Sequence, residues 1–435
     1  MNLPTSREEA VPMWLHLVYG HDGDHPHPKL AAEVLAQHAE LLRGDLYVAC
    51  ATGDVDAVRN AIEAVPELAV RPIADWKCPG CEAALDRTPL IAVTHSTLVQ
   101  LPEFRDGLHA TARLLLAAGA DPNQPHEEGG HALSALYGAA GKNQDPGMTR
   151  ILLEAGADPN DGESLYHSME EHGMECARLL LDAGARVEGS NALHHCLDQN
   201  DLDKLRLLLA HTKNVNDPGS SIGNPLMWAL RRGRSMEHIQ ALLDAGAQAE
   251  GAYKRALLFG LTQIAALLTP EHLTIEEQFV AACARADEPR ARKMLDVHPE
   301  MFTTLSDDLL KQLPNLVESG NHAAARLMVT LGWPIAVRGG DWSASALNLA
   351  VLQGNAPLTR FLLQHGASWT EEQGFGDNVH GTLCWASRNM SPHNDYVGCA
   401  RALVEHGMPI LELDGDYSTE VAEYLAAERA RLSSR

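Results

Sequence analysis

The sequence contains no long apolar run. No stretch of its 435 residues approaches the roughly 18 to 20 uninterrupted apolar residues that a membrane-spanning helix needs. The first residues, MNLPTSREEAVPMW, also lack the positively charged start and apolar centre of a signal peptide. We therefore expect a cytoplasmic protein that does not act at a membrane.

Basic residues are scarce. The chain carries 34 lysines and arginines against 58 acidic residues, which gives a formal net charge of -24. Nucleic acids and anionic lipid surfaces attract proteins mainly through lysine and arginine. The charge therefore argues against a nucleic-acid partner and against a membrane partner.

Cysteine is scarce as well, with eight in the whole chain. Most of them lie among small apolar residues, as in Ala49-Cys50-Ala51 and Ala282-Cys283-Ala284. This usage is too sparse for a disulfide framework and predicts reduced, buried thiols.

Four common catalytic or nucleotide-binding motifs are missing. The sequence has no Gly-x-Ser-x-Gly elbow, no Gly-x4-Gly-Lys-Ser/Thr phosphate loop, no Gly-x-Gly-x2-Gly following a strand and no His-Glu-x2-His pair. We therefore expect no enzyme activity.

What the sequence does contain is a phrase that recurs eight times. It reads LLLAAGADPN up to Asn123, LLEAGADPN up to Asn160 and LLQHGASWT up to Thr370, with the other copies ending near 188, 216, 250, 335 and 410. An apolar helix end followed by glycine predicts a left-handed residue that terminates the helix. The Ala-Asp-Pro-Asn that follows predicts a turn.

A second landmark follows each turn, at the start of the next short helix. It reads Thr88-Pro89-Leu90 in one copy and Asn224-Pro225-Leu226 in another, so a capping residue precedes proline at the first helical position. Together the two landmarks resemble the ankyrin repeat family, whose unit is two antiparallel helices and a turn over about 33 residues. The resemblance covers roughly residues 44–412, and His194 occupies the position of the family's helix-entry histidine, which predicts a structural role.

The resemblance implies an all-α solenoid of stacked helix-turn-helix repeats, because one unit cannot bury its apolar face alone. We expect an N-terminal helical cap over 1–43 and a C-terminal capping helix over 413–435. Residues 251–273 are too short for a full unit, and FVAACARADEPRARKMLDV echoes YVACATGDVDAVRNAIEAV from near the start. The sequence therefore predicts two repeat blocks, 44–270 and 271–412.

One motif in the chain suggests a metal. Cys78 and Cys81 flank a Pro-Gly turn, which suits half of a tetrahedral zinc site. The other half could come from the N-terminal stretch HDGDHPHP, with His21, His25 and His27 as ligands. A plain inserted loop explains the same residues, so a zinc-binding regulator or metal-dependent enzyme stays an alternative to a protein without cofactors.

The resemblance further implies that another protein binds the concave face, at the ends of the first helices and at the turn tips. The matching positions are His95, Ser96, Glu170, Glu171, Asp198, Gln199, Arg231, Arg232, Leu352, Gln353, Arg388 and Asn389, with Trp76 and Trp342 at turn tips. A solvated face without a partner is the alternative for the charged positions, and packing on the next repeat is the alternative for the tryptophans. A small-molecule sensor that uses the groove or the region near residue 260 is a third hypothesis, which no residue pattern supports.

Overall fold

The computed structural model describes residues 6–20, 25–72, 87–128, 131–170, 173–219, 223–391, 393–410 and 415–433. By its internal contacts the chain divides into two compact units, Met1–Gly223 and Asn224–Arg435. Both units are stacks of helices, and the described residues add only two short antiparallel hairpins. The predicted all-α repeat fold is confirmed. The predicted block boundary at 270/271 stays a prediction.

Unit 1 begins with cap helices and continues with short helix pairs. Its helices are α1 (Arg7–Tyr19), α2 (Pro28–Gln37), α3 (Ala39–Leu42), α4 (Leu46–Thr52), α5 (Val55–Ala64), α6 (Pro89–Thr94), α7 (Pro102–Ala117), α8 (Pro146–Glu154), α9 (Ser164–His167), α10 (Glu175–Asp182), α11 (Ala192–Asp198) and α12 (Leu202–Leu209). Strands β1 (His126–Glu128) and β2 (His131–Leu133) form a hairpin, 3-10 turns cover Pro66–Ala69 and Thr97–Gln100, and Tyr137–Lys142 is a π-helix.

Unit 2 repeats the plan. Its helices are α13 (Pro225–Arg231), α14 (Met236–Asp244), α15 (Ala252–Leu258), α16 (Thr262–Ala265), α17 (Ile275–Ala284), α18 (Glu288–Val297), α19 (Met301–Thr304), α20 (Asp307–Leu310), α21 (Gln312–Glu318), α22 (His322–Thr330), α23 (Ala346–Leu352), α24 (Ala356–Gln364), α25 (Val379–Asn389), α26 (Tyr396–Glu405) and α27 (Thr419–Ser433). Strands β3 (Arg338–Gly339) and β4 (Ala344–Ser345) form its hairpin.

The helices start at the side chains that the sequence indicates. The Thr88 hydroxyl accepts a hydrogen bond from the Ile91 amide, and the Asn224 side chain accepts one from the Leu226 amide at 2.8 Å. Each cap satisfies an amide that the first helical turn leaves without a backbone partner. Proline takes the next position in both helices, where its missing N–H costs nothing.

The helices end at the predicted glycines. Seven of the eight copies of the recurring phrase have glycine at this position, and all seven glycines have positive φ angles: Gly119, Gly156, Gly184, Gly246, Gly332, Gly366 and Gly407. Glycine adopts this left-handed conformation without the steric cost that a Cβ atom brings. The recurring phrase in the sequence is therefore the end of the second helix of each pair.

Successive pairs bury their apolar faces against each other. First helices contact first helices, as α21 contacts α23 and α23 contacts α25, and second helices contact second helices, as α24 contacts α26. In unit 2 the Phe279 ring stacks on Trp333 with centroids 6.1 Å apart. Burial shared between neighbours in this way is the main favourable contribution to the stability of such an array.

The segment that the sequence predicted as a break is a shortened pair. Helices α15 and α16 form it, and α15 contacts α13 on one side and α17 on the other. Stacking within unit 2 therefore continues through this segment.

Caps cover both ends. In α1, the Tyr19 hydroxyl donates to the Ala92 carbonyl oxygen at 2.7 Å and so ties the cap to α6. At the other end, α27 buries Val421 and Leu425 next to α26. These contacts confirm the helical caps that the resemblance implied.

Two glycines let unit 1 pack closely. A Cβ atom on Gly53 would lie 2.3 Å from the Leu108 backbone nitrogen, and one on Gly107 would lie 2.6 Å from the Gly53 oxygen. Real Cβ atoms do not approach backbone that closely, so only glycine fits where the end of α4 meets α7.

Candidate interaction surfaces

Two of the predicted contact residues lie in the interior of unit 1. The His95 and Ser96 side chains are both fully buried. The His95 ring packs 5.9 Å from the Tyr137 ring, and the Ser96 hydroxyl donates to the Ala51 carbonyl oxygen at 2.6 Å. The prediction that they lie on an exposed face is wrong, because packing between neighbouring repeats uses this helix end.

His95 is the first member of a row of rings that crosses several repeats, which we call the ring ladder: His95, Tyr137, His167, Tyr166 and His195. After the first spacing, consecutive ring centroids lie 5.2, 4.9 and 4.3 Å apart. All members after His95 are half-buried. The ladder was not predicted, although the sequence places its rings in or directly after the first helices of consecutive repeats of unit 1.

Acidic side chains flank the half-buried part of the ladder. His167 donates from Nδ1 to Glu170 Oε1 at 2.8 Å and lies 3.3 Å from Glu163. The Glu170 hydrogen bond raises the pKa of His167 against the opposing effect of burial, and it lowers the pKa of Glu170. His195 shifts the other way, because burial lowers its pKa despite the nearby Glu170 and Asp198 charges.

The other predicted contact residues of unit 1 differ in their exposure and in their contacts. Asp198 and Gln199 are exposed, as is Glu170. The Gln199 side-chain oxygen accepts a hydrogen bond from Lys204 Nζ at 3.1 Å, so part of the hydrogen-bonding capacity of Gln199 is already used within unit 1. Glu171 and Trp76 lie outside the described residues. His194 has the structural role expected of it, since its buried ring donates from Nε2 to the Gly223 carbonyl oxygen at 2.7 Å.

The predicted arginine pair of unit 2 is held by carboxylates of its own chain. Arg231 Nη2 lies 2.6 Å from Asp341 Oδ1 and 3.1 Å from Glu318 Oε2. Arg232 Nη2 lies 2.6 Å from Asp341 Oδ2, and its guanidinium stands over the Trp228 ring at 4.3 Å. The expectation that this pair offers its charge to a partner needs correcting, because both guanidinium groups already have carboxylate partners in unit 2.

Leu352 and Gln353 also contribute to the stacking. Leu352 packs against the core of unit 2, and Gln353 donates from Nε2 to the Val317 carbonyl oxygen at 2.9 Å. Arg388 and Asn389, one repeat further on, are exposed. Arg388 pairs with Asp416, so its charge is partly neutralised.

Trp342, at the tip of the β3–β4 hairpin, is half-buried and packs against the core of unit 2. It belongs to a cluster that we call the aromatic triad: Trp342, Phe375 and Trp385. The Trp342 ring meets the other two edge to face, with centroids 5.9 and 5.6 Å apart. Phe375 is 77% exposed and Trp385 is 48% exposed. Phe375 and Trp385 were missed, although phenylalanine between two glycines in a polar loop is a signal that the sequence offers.

The loop that carries Phe375 is held in place by hydrogen bonds. The Gly374 amide donates to the Trp342 carbonyl oxygen at 2.7 Å, and the Phe375 amide donates to the Gln373 side chain at 2.6 Å. Across the loop, the Gln373 amide donates to the Asp377 carbonyl oxygen at 2.8 Å. The exposed ring is therefore presented on an ordered backbone.

The metal hypothesis falls mostly on residues that the structure does not describe. Cys78, Cys81 and His21 lie outside the described residues, while His25 and His27 are exposed. Within the described ranges, no three His, Cys, Asp or Glu side chains are grouped so that they could hold a metal ion. Zinc binding by Cys78 and Cys81 stays a prediction.

The described cysteines are poor nucleophiles. Those at 50, 176, 196, 283 and 399 are buried, and Cys384 is half-buried. Burial raises the pKa of Cys176 to about 11 and that of Cys283 to about 12. Since the thiolate is the reactive form, these side chains are structural.

Comparison with known proteins agrees with the architecture. A family model described as ankyrin repeats (3 copies) matches residues 171–252. The chain carries ankyrin repeats. Ankyrin repeats generally mediate protein–protein interaction and are typically non-enzymatic.

Solved ankyrin structures are similar to parts of the chain. One is the ankyrin repeat domain of Bcl-3, a member of the IkappaB protein family, at 24% identity and a TM-score of 0.38, covering 48% of this chain and 89% of that one. Another is the human ASB11 ankyrin repeat domain, at 14% identity and a TM-score of 0.26, covering 84% of this chain and 99% of that one. No curated protein matches the chain.

Among the described residues of this ankyrin-repeat chain, no helix is long and apolar enough to cross a membrane.

Proposed function

We propose that this ankyrin-repeat protein is a non-catalytic scaffold that binds another protein through the aromatic triad. The observation that carries the proposal is the exposure of Phe375 and Trp385 next to Trp342. Aromatic residues make up only 5% of the chain, and among the described residues Phe375 and Trp385 are the aromatic members of the exposed large apolar side chains.

Covering exposed aromatic rings with a partner surface is favourable, because it removes apolar area from water. Each ring buries a large apolar area on contact, and tryptophan is enriched among the residues that dominate binding energies. The hydrogen-bonded loop around Phe375 lowers the conformational entropy that would be lost on binding. A ring held in place in this way is suited to insertion into an apolar pocket of a partner.

Charge around the triad indicates the chemistry of the partner. Glu372 and Asp377 flank Phe375 in the same loop, and both are exposed. The whole chain is strongly acidic as well. Complementary charge accelerates association and fixes orientation. We therefore propose a partner segment with an apolar pocket or side chain bordered by lysine or arginine.

The exposed positions that the ankyrin resemblance implied as partner contacts extend the proposed surface. In unit 2 these are the exposed Arg388 and Asn389 on α25, the helix that also carries Trp385. In unit 1, Glu170, Asp198 and Gln199 present a second acidic contact strip beside the ring ladder.

Affinity capture with matched variants tests the proposal. The full chain and a Phe375→Ala, Trp385→Ala double variant serve as baits in extracts of cells that express the protein. Val297→Ala is the control, since Val297 is also in unit 2 and is 65% exposed. We expect at least one protein to be retained by the wild type and by the control and to be lost from the double variant.

Circular dichroism melting of all three baits separates lost binding from lost folding. A captured set that is unchanged in a folded double variant contradicts the proposed surface.

A further inference from the structure

A cavity of about 710 Å³ opens within unit 2. Its walls are α15, the start of α17 and the segment from α19 to α21. The volume lies in the range of small-molecule sites in proteins, roughly 300–1,000 Å³. The scaffold function proposed above does not use this cavity.

Two ion pairs occupy parts of the cavity wall. Lys254 Nζ lies 3.2 Å from Glu277 Oε1, and Lys311 Nζ lies 3.3 Å from Asp308 Oδ1. Each pair neutralises itself. These four side chains therefore give the wall polar groups without a net charge.

Arg255 lines the same cavity and differs from the two lysines. Its side chain is half-buried and makes no hydrogen bond or ion pair with any described residue. Burial lowers the pKa of Arg255, and the nearby Arg231 charge lowers it further against the attraction of Asp308. An arginine remains charged under such shifts, so the cavity wall carries a partly desolvated cation without an anion in contact.

Gln312 adds a second group without a partner. Its side chain is 5% exposed and lines the cavity, and its Oε1 atom has no hydrogen-bond partner among the described residues. The amide nitrogen reaches the Asp308 carbonyl oxygen only at 3.5 Å. A buried acceptor without a hydrogen bond lowers the stability of the folded protein, and a ligand that donates a hydrogen bond to it removes this cost.

We propose that this cavity binds a small molecule that carries a carboxylate with a hydrogen-bond donor next to it, as amino acids and hydroxy acids do. The carboxylate pairs with the Arg255 guanidinium, whose planar fork fits two carboxylate oxygens. The amine or hydroxyl donates to Gln312 Oε1, and because that atom is buried in the free protein, the Gln312 side chain turns toward the cavity when the ligand binds.

The wall charges narrow the ligand class. The cavity lining carries three basic side chains and three carboxylates, so it has no net positive charge to hold a ligand with several negative charges. A compact zwitterion or a monocarboxylate needs only the single Arg255 cation. Nucleoside polyphosphates do not fit the charge pattern.

The test uses the full chain with the twenty standard amino acids, lactate and malate as probes, each at millimolar concentration. Melting temperature identifies binding, and isothermal titration calorimetry then gives the dissociation constant. Arg255→Gln and Gln312→Met remove the two proposed contacts. Arg290→Gln is the matched control, because Arg290 is exposed on α18 and outside the cavity.

We expect at least one acid to raise the melting temperature of the wild type and of Arg290→Gln. Arg255→Gln then binds that acid about tenfold or more weakly, because a charge-assisted contact is lost. Gln312→Met weakens binding and also raises the melting temperature of the free protein, since it removes a buried acceptor that has no donor. A purely structural Gln312 would show the opposite, a lower melting temperature with unchanged affinity.

The proposal is overturned if no probe binds the wild type, or if Arg255→Gln binds as the wild type does. Protein capture through the aromatic triad is expected to be unchanged in Arg255→Gln, so failure of one proposal is distinguishable from failure of the other.

Discussion

Arg232 donates from Nη2 to Asp341 Oδ2 at 2.6 Å, although 109 residues of sequence separate the two. Arg231 contacts the other oxygen of the same carboxylate, and Glu318 lies beside both arginines. Two cations and two anions thus join the end of α13 to the end of α21 and to the β3–β4 hairpin. This contact links parts of unit 2 that the chain itself connects only through several repeats.

We predict that Arg232→Gln lowers the free energy of unfolding of unit 2 by about 1–2 kcal/mol. This value lies above the usual range for exposed pairs because Arg232 and Asp341 are only 23% and 24% exposed. Urea denaturation followed by far-ultraviolet circular dichroism measures the change.

Arg292→Gln is the matched control for this prediction. It breaks an exposed pair with Glu288, which we expect to be worth about 0.5 kcal/mol or less. A double-mutant cycle of Arg232→Gln with Asp341→Asn isolates the coupling between the two side chains. A coupling energy near zero would contradict this account of the arginine pair.

The next prediction concerns Asp145, which caps α8. Burial alone would raise its pKa, but hydrogen bonds from His109 and from the Met148 amide, with the charges of His109 and Arg105, outweigh burial and lower it. We expect Asp145→Asn to cost about 1–3 kcal/mol at neutral pH, because the charge-assisted hydrogen bond to His109 is lost.

The sign of the pH dependence follows from the lowered pKa. The stabilisation by Asp145 is fully present above the unfolded pKa of about 4 and is lost as pH falls through the lower folded value. The stability difference between wild type and Asp145→Asn should therefore shrink in acid. A difference that is constant between neutral pH and the acid limit would contradict the assignment.

The ring ladder contains two histidines with opposite pKa shifts. We predict that the pKa of His167 lies above the unperturbed value of about 6.5 and that of His195 lies below it. Glu170→Gln should lower the pKa of His167, because it removes the main group that stabilises the charged ring. Proton NMR of the imidazole C–H signals measures both values.

Asp182→Asn serves as the control for that titration, since Asp182 is exposed at the end of α10 on the same unit. It removes one negative charge and should leave both histidines unchanged. If His167 titrates alike in Glu170→Gln and in the wild type, the hydrogen bond is not formed in solution.

The close contact of α4 with α7 predicts unequal costs for two glycine substitutions. Gly119→Ala meets no heavy atom within 4 Å and should cost about 1–2 kcal/mol, because alanine strains the left-handed conformation. Gly53→Ala adds a collision with the Leu108 backbone and should cost roughly 3 kcal/mol or more. Thermal melting compares the two variants, and equal costs would show that the helices separate without penalty.

The sequence predicted the repeat fold because each repeat carries local residues that mark where its helices begin and end. The left-handed glycine at Gly119 and the cap at Thr88 are local features, so a short stretch of sequence suffices to recognise them. These positions recur along the chain, and the structure confirms them.

The candidate surface was harder to predict, because exposure depends on contacts between repeats. His95 holds the same repeat position as the exposed Asp198, yet a π-helix in the next repeat covers it. Arg232 was expected to be available, and a carboxylate 109 residues away holds it. Such long-range pairs leave no trace in a single sequence.

The most direct test of the scaffold hypothesis is site-specific photo-crosslinking at the aromatic triad. A benzophenone-bearing phenylalanine analogue replaces Phe375 in one protein and Val297 in another, and both are irradiated in the cells that express them. Both sites are in unit 2 and strongly exposed, so random collisions should label them alike. The account predicts a discrete protein adduct from position 375 that position 297 does not form. No adduct at 375, or the same adducts at both positions, would contradict it.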